Sequence, residues 1–363
     1  MDKLRYLSHI IANLAKKDLQ QGIITQDFIN KLNFIKGYLT PEGYVGIKQN
    51  ASESLYSFVR MIYEVPRYQR GATFNEFFNE IANIIMKDFL ARKPELITKD
   101  DVSTVERKVE MWFKSKVGSY QFSIPCAITR YFDKSFIISP ISFTGFNNFL
   151  QSQGEYHRKT LEMTFEPFLQ IMQAEAATWI ATVEVSDCTK DRASEIEDLA
   201  VDLALTGLQI IIPLGFRPEG IARMTARKRP PYTLTVSISN GQLSSNAKNE
   251  EPGVGLDPSY IDRNAVILSS VGRRVESFLS GHSETPKLNQ AWCDAAYWFH
   301  EGLAEPLDTI TVPKLETAIE VLLRAESTTG SNKRLRKAIE VFYCKKENEI
   351  INPDSQLTVR QVC

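Results

Sequence analysis

Apolar positions along the first third of the chain recur at helical spacing. Leu4, Leu7, Ile11 and Leu14 make one stripe, and Phe28, Leu32, Ile35 and Leu39 a second. A repeat near 3.6 residues is what an amphipathic helix needs to bury one face. A third helix is expected over Ser52 to Tyr63 and a fourth over Phe74 to Leu90, with Phe77, Ile81, Ile84 and Ile85 on one side. Asp101 or Ser103 is the expected cap of a fifth, which carries Val109 and Trp112. Residues 1–117 therefore read as a helical N-terminal region.

The period changes over 118–265. Phe122–Ile124 and Phe136–Ile138 are short β-prone runs bounded by Pro125 and Pro140. Trp179 to Val185 alternates apolar with small or polar residues, the pattern of a half-buried strand. A helical face follows in Ile196, Leu199, Ala200, Leu203, Ala204 and Leu208, and Ile210 to Ile212 reads as a second strand. That order fits a compact βαβ unit or an α+β packing. Tyr232 to Ile238 alternates again and Asn240-Gly241 is a turn signal. Ser244 to Asn249 is polar and reads as loop. This part is a mixed α/β region.

From 266 to 363 the helical period returns. Val271 to Leu279 is one helix, and Leu288 to Glu301 another, with Trp292, Ala295, Ala296 and Phe299 on its apolar side. Pro313 is expected to begin a third, with Leu315, Ala318, Ile319, Leu322 and Leu323 as its buried stripe. Gly330 is expected to separate it from a fourth, in which Leu335, Ile339 and Phe342 face inward. The fold class expected for the whole is α+β.

Composition narrows the function classes. The chain has 363 residues, 43% hydrophobic and 24% charged, with a net charge of −1. No global basic field marks a nucleic-acid binder, so any such site must be local. The five cysteines, Cys126, Cys188, Cys293, Cys344 and Cys363, are scattered without a CxxC pair. That argues for reduced thiols in the cytoplasm and supplies no zinc ligand set. No metal or cofactor is expected. The N-terminus lacks the continuous apolar stretch of a signal peptide, and no later segment reaches the length of a membrane span.

Familiar catalytic motifs fail one by one. Gly215 to Gly220 has P-loop glycine spacing, but Ile221-Ala222 stands where Lys and Ser/Thr are needed. His300-Glu301 lacks the second histidine of a metalloprotease helix. Of the four histidines, His9 reads as a partly buried structural residue and His157 as part of a solvated polar stretch. Two basic clusters remain. Arg223, Arg227, Lys228 and Arg229 precede a Pro-Pro pair. Lys333, Arg334, Arg336, Lys337, Lys345 and Lys346 surround the last long helix with only Glu340 against them, a local charge of +5. A phosphate backbone needs cations in no fixed geometry, so the second cluster is the candidate nucleic-acid contact; a solvated helix face is the plain alternative.

The helices that carry this cluster resemble the HEPN superfamily, in its Apea-like branch. The residues concerned are Ala291 to Phe299, Pro313 to Leu323 and Leu335 to Phe342: an aromatic helix, a Leu-Glu helix and a basic helix, in that order. Residues 266–363 resemble it closely and 179–265 loosely. The resemblance implies a helical module that forms a homodimer. It also implies metal-independent RNA cleavage at the dimer interface, by an Arg and a His with four to six residues between them, with a polar residue from an earlier helix. Glu316 corresponds to that polar residue. The chain departs from the pattern at the decisive place, because no histidine has an arginine five, six or seven positions before it. The expectation is a bundle that stops short of its catalytic motif. The chain then reads as an inactive HEPN-type protein of a prokaryotic defence or toxin-like system. The alternative is a non-catalytic RNA-binding, interaction or sensor module.

Overall fold

The computed structural model describes residues 3–17, 33–40, 43–90, 92, 94, 96–155, 159, 172, 176–212, 218–226, 232–239, 242–249, 252–254, 256–324, 328–346, 348–352 and 357–362. The class is α+β. The chain forms two compact units, Met1–Tyr120 with Ser186–Glu195, and Gln121–Val185 with Ile196–Cys363. Among the described residues no helix is long and apolar enough to cross a membrane.

The first unit holds helix α1 (Lys3–Ala12), strands β1 (Leu14–Lys17), β2 (Phe34–Thr40) and β3 (Gly43–Lys48), and helices α2 (Ser52–Tyr63), α3 (Pro66–Gly71), α4 (Phe74–Phe89) and α5 (Lys99–Lys116). Leu7, Ile10, Leu55, Phe58, Phe77, Ile81, Ile85 and Val105 meet in its core, so four helical stripes converge as their spacing requires. The second expected helix is not there. Ile35 and Leu39 lie in β2, which pairs antiparallel with β3, and the sheet order is β1-β3-β2; Phe28 and Leu32 lie outside the described residues. Gly37 and Gly46 stand opposite each other across this pair. A Cβ on either would collide with the ring of Tyr44 or Phe34, and those two rings stack 5.9 Å apart. Aromatic cover over strand glycines thus outweighs a loose helical spacing. The cap of α5 also differs. Asp101 is its third residue, and its Oδ2 accepts from the Thr98 N–H at 2.8 Å and the Thr98 hydroxyl at 3.0 Å. His9 is exposed, with Nδ1 2.8 Å from Ser54 Oγ; His157 lies outside the described residues.

The second unit is built on a five-stranded sheet of β4 (Gly118–Ala127), β5 (Phe136–Ile138), β6 (Ile141–Gly145), β7 (Trp179–Cys188) and β8 (Ala222–Arg223), in the order β5-β6-β7-β4-β8. Helix α6 (Phe146–Ser152) follows β6 directly. Helix α7 (Lys190–Ile211) follows β7 and absorbs the expected strand at Ile210–Ile212. The Ile212 N–H bonds the Leu208 carbonyl at 3.1 Å, and Ile211 and Ile212 are buried while Ile210 is half exposed. Ile210 and Ile211 are the last residues of the helix and Ile212 still donates into it, so no second strand stands there and the βαβ reading is overturned.

A two-stranded ribbon of β9 (Tyr232–Ser239) and β10 (Gln242–Asn249) comes next. The polar stretch read as loop is therefore a strand: backbone pairing with β9 supplies what its side chains do not advertise. Helices α8 (Pro258–Arg263), α9 (Ala265–Ser280), α10 (Pro286–Ala304), α11 (Asp308–Leu322) and α12 (Thr328–Tyr343) complete the unit, before the short pair β11 (Ile350–Asn352) and β12 (Leu357–Thr358) and a last turn of helix, α13 (Val359–Val362). Pro313 lies inside α11 rather than at its start, because the Leu307 carbonyl already accepts the Ile310 and Thr311 N–H groups at 2.9 Å each. Gly330 lies within α12. Of the stripe expected to be buried on α11, only Ala318 is buried; Ile319 is 41% and Leu322 42% exposed.

Candidate functional site

Helix α12 packs through Ile339, which is buried, and Leu335, which is half-buried. At 100° per residue Lys333 and Lys337 fall on the opposite side, with Arg334 and Arg336 on its two flanks. The structure separates the six cations into two groups. Lys333, Lys337, Lys345 and Lys346 are exposed. Lys337 is held 3.0 Å from Glu340, but both side chains are more than half exposed, so water screens that pair. Arg334 is exposed too, but its guanidinium is engaged by backbone carbonyls. Its guanidinium donates to the carbonyl of Leu323, at 2.8 Å, and to that of Arg324, at the negative end of α11. Arg336 is half-buried. The candidate contact surface is therefore the four lysines.

Glu316 sits on the exposed side of α11 and has no hydrogen bond or ion pair among the described residues. The structure does not join it to the α12 cations. Its helix is anchored through its neighbours. Lys314 reaches Glu301 on α10 at 3.5 Å and Glu305, the residue that follows that helix, at 3.0 Å. Gly302 lets the Leu315 side chain approach so closely that a Cβ would lie 2.9 Å from Leu315 Cδ2. Above this pair of helices, Thr206, Ile210, Trp292, Phe299, Ile319 and Leu322 line an almost wholly apolar groove of about 350 Å³.

A polar groove of about 900 Å³ lies along the end of α9. It brings together Arg273, Arg274, Glu276, His282 and Glu284 among serine and threonine hydroxyls. Arg273 donates to Ser270 Oγ at 3.0 Å and Arg274 to Thr285 Oγ1 at 3.2 Å; neither guanidinium meets a carboxylate among the described residues. Spacing alone missed this pairing of arginine with histidine, because the chain turns at Gly281, whose φ is +67°. That left-handed turn folds His282 back toward the helix, across a gap of eight residues from Arg274.

The first basic cluster does not form a surface site. Arg223 is buried and bonds both oxygens of Asp202, Nε at 2.7 Å and Nη2 at 2.8 Å, while Nη1 meets Asp198. Burial acts against the Arg223 charge, but the bonds to Asp202 outweigh it and its pKa stays above the ordinary arginine value. His300 joins the same network, with Nδ1 3.1 Å from Gln209 Oε1 and Nε2 3.6 Å from Asp202 Oδ1. Arg227, Lys228 and Arg229 lie outside the described residues. Asp198, Asp202 and Gln209 form a polar line down α7 into its mostly apolar second half, and that line was the available signal. Arg223, Asp202, Gln209 and His300 are buried and Asp198 alone reaches water, so the network's work is structural. Burial also pushes the Cys293 thiol up to about 12 and the Cys126 thiol higher still, which leaves neither reactive at neutral pH. Among the described residues no group of three or more His, Cys, Asp or Glu could hold a metal ion.

No family model, no curated protein and no solved structure matches the chain.

Proposed function

We propose that this chain is a HEPN-type RNA-binding protein of a prokaryotic defence or toxin-like system. On this reading it acts in the cytoplasm as a homodimer and holds RNA without cutting it. The observation that carries the reading is the solvent face of α12. Lys333 and Lys337 point away from the core and Lys345 and Lys346 follow in the next exposed segment, on the helices that resemble the family. Four exposed cations supply the charge that a phosphate-backbone contact needs. The uncovered apolar groove on α10 and α11 supports the dimer, because a second copy would remove Ile319 and Leu322 from water.

A second reading has its own observation. Arg274 and His282 share one groove with two carboxylates. A guanidinium for phosphate charge and an imidazole for proton transfer suffice in principle for metal-free phosphodiester cleavage.

One experiment separates the two. Binding of a single-stranded RNA is measured across salt concentrations, and cleavage is followed in EDTA. The first reading expects binding whose log–log salt slope falls by about 0.7 for each lysine contact removed, in Lys333→Ala, Lys337→Ala, Lys345→Ala and Lys346→Ala together, with the RNA intact throughout. A slope unchanged in that variant overturns it. Cleavage in EDTA that disappears in His282→Ala transfers the function to the α9 groove.

A further inference from the structure

A cavity of about 380 Å³ opens beside the five-stranded sheet, within the range of about 300–1,000 Å³ that small-molecule sites occupy. Its walls come from the loop after β4, the junction of β6 with α6, and the residues that lead into β7. Phe132, Phe146 and Trp179 supply three aromatic surfaces, and Arg130, Asp133 and Asn147 supply polar groups.

The walls are fixed before any ligand arrives. Trp179 Nε1 donates to the Thr129 carbonyl at 2.6 Å, and the Phe132 ring meets the Trp179 ring edge-on with centroids 5.2 Å apart. Asn148 Nδ2 donates to the Asp133 carbonyl at 3.1 Å, and the Phe146 N–H donates to the Thr178 carbonyl at 2.9 Å. Gly145 belongs to this construction. A Cβ there would stand 3.3 Å from the Asp133 carbonyl oxygen, a close contact that would ask the Asp133 loop to give by a few tenths of an ångström. Arg130, Asp133 and Asn147 are exposed, at the side where a ligand would enter, while Trp179 is buried.

Aromatic walls select a flat ring. An amide and a carboxylate beside them select a ring edge with both donors and acceptors. A guanidinium beside those selects an anionic group, for which phosphate is the best geometric match. We propose that this cavity is a binding site for a mononucleotide whose base carries an exocyclic amine. The ring lies against Phe132 and Phe146. The Asp133 carboxylate accepts from the amine, which a base with a carbonyl at that place cannot offer. Arg130 takes the phosphate. The cavity shares no residue with the lysine surface, so this proposal stands apart from the RNA reading.

Calorimetric titration of the full chain tests it, with AMP, IMP, adenosine and ribose 5-phosphate as probes. AMP is expected to bind, and each of the other three to bind at least about tenfold more weakly. Arg130→Gln, with its fold checked by circular dichroism, is expected to make AMP no better than adenosine. Phe146→Ala is expected to remove AMP binding, with circular dichroism as the check on folding. The variant lacking the four lysines is expected to bind AMP as the unaltered chain does. Absence of heat with all four probes overturns the proposal, as does ribose 5-phosphate binding as tightly as AMP. IMP equal to AMP removes the assigned role of Asp133, and loss of AMP binding in the lysine variant moves the site elsewhere; each overturns the proposal as stated.

Discussion

Arg223 shows how far one residue's role depends on what surrounds it. Beside Arg227, Lys228 and Arg229 it is one cation of a basic run. In the fold it is a buried cation gripped by Asp202 and Asp198, with His300 and Gln209 completing the network. Removing one partner of a buried pair strands the other charge away from water, at a cost of about 3–5 kcal/mol. Arg223→Met is therefore expected to lower unfolding stability by about that amount. Lys337→Met, on the exposed face of α12, is expected to change it by less than about 0.5 kcal/mol. Urea denaturation of both variants checks this. A loss below about 1 kcal/mol for Arg223→Met would show that Asp202 finds water or another partner when the guanidinium is gone.

At the scale of elements, strong periodic signals and end signals behaved differently. The stripe of α4 and the alternation of β7 are found where the sequence reading puts them, because each buries a full face. The ends did not follow. Helix α5 begins beyond Thr98, and its Asp101 carboxylate closes on the Thr98 backbone and hydroxyl while pairing with Arg92 at 2.6 Å. These bonds to Thr98 hold the Asp101 carboxyl below its ordinary value. A carboxyl depressed in the fold stabilises it above the unfolded pKa of about 3.9, and that contribution fades as pH falls through the folded value. Asp101→Asn is expected to cost about 2 kcal/mol at neutral pH. The gap to the unaltered protein should narrow as the pH falls below 4. Ser103→Ala is expected to be neutral. Thermal melts over a pH series would detect either outcome, and an Asn penalty that stays constant with pH would rule out the charged cap.

For the whole molecule, the distribution of uncovered apolar surface matters most. Of the nineteen large hydrophobics exposed among the described residues, eleven lie at position 266 or beyond. Ile319 and Leu322 belong to this set and border the apolar groove, where the sequence pattern leads one to expect a buried stripe. Under the dimer proposal, Ile319→Arg with Leu322→Arg is expected to shift sedimentation from dimer to monomer while the helical circular dichroism signal stays unchanged. An unaltered chain that sediments as a monomer at micromolar concentration would remove the dimer from the proposal.

Periodicity and alternation along the chain determined the α+β class, the helices α1, α2, α4, α5, α7 and α9 to α12, and the strands β4, β5, β7 and β9. Each of these carries its apolar residues as a repeat within a dozen residues. The basic face of α12 was legible for the same reason, since a run of cations over one helix is a local property. Tertiary structure decided the rest. It made β2 a strand by laying Phe34 and Tyr44 over glycines, and β10 a strand by pairing its backbone with β9. It engaged the exposed Arg334 with the carbonyls that end α11, and it brought His282 and Arg274 into one groove through the turn at Gly281. It left Glu316 on an open helix face, and it assembled the cavity beside Trp179 from three segments that carry no common motif. The physical reason is the same in each case: the partner that sets the residue's role is distant along the chain or is a backbone group whose position no side-chain pattern records.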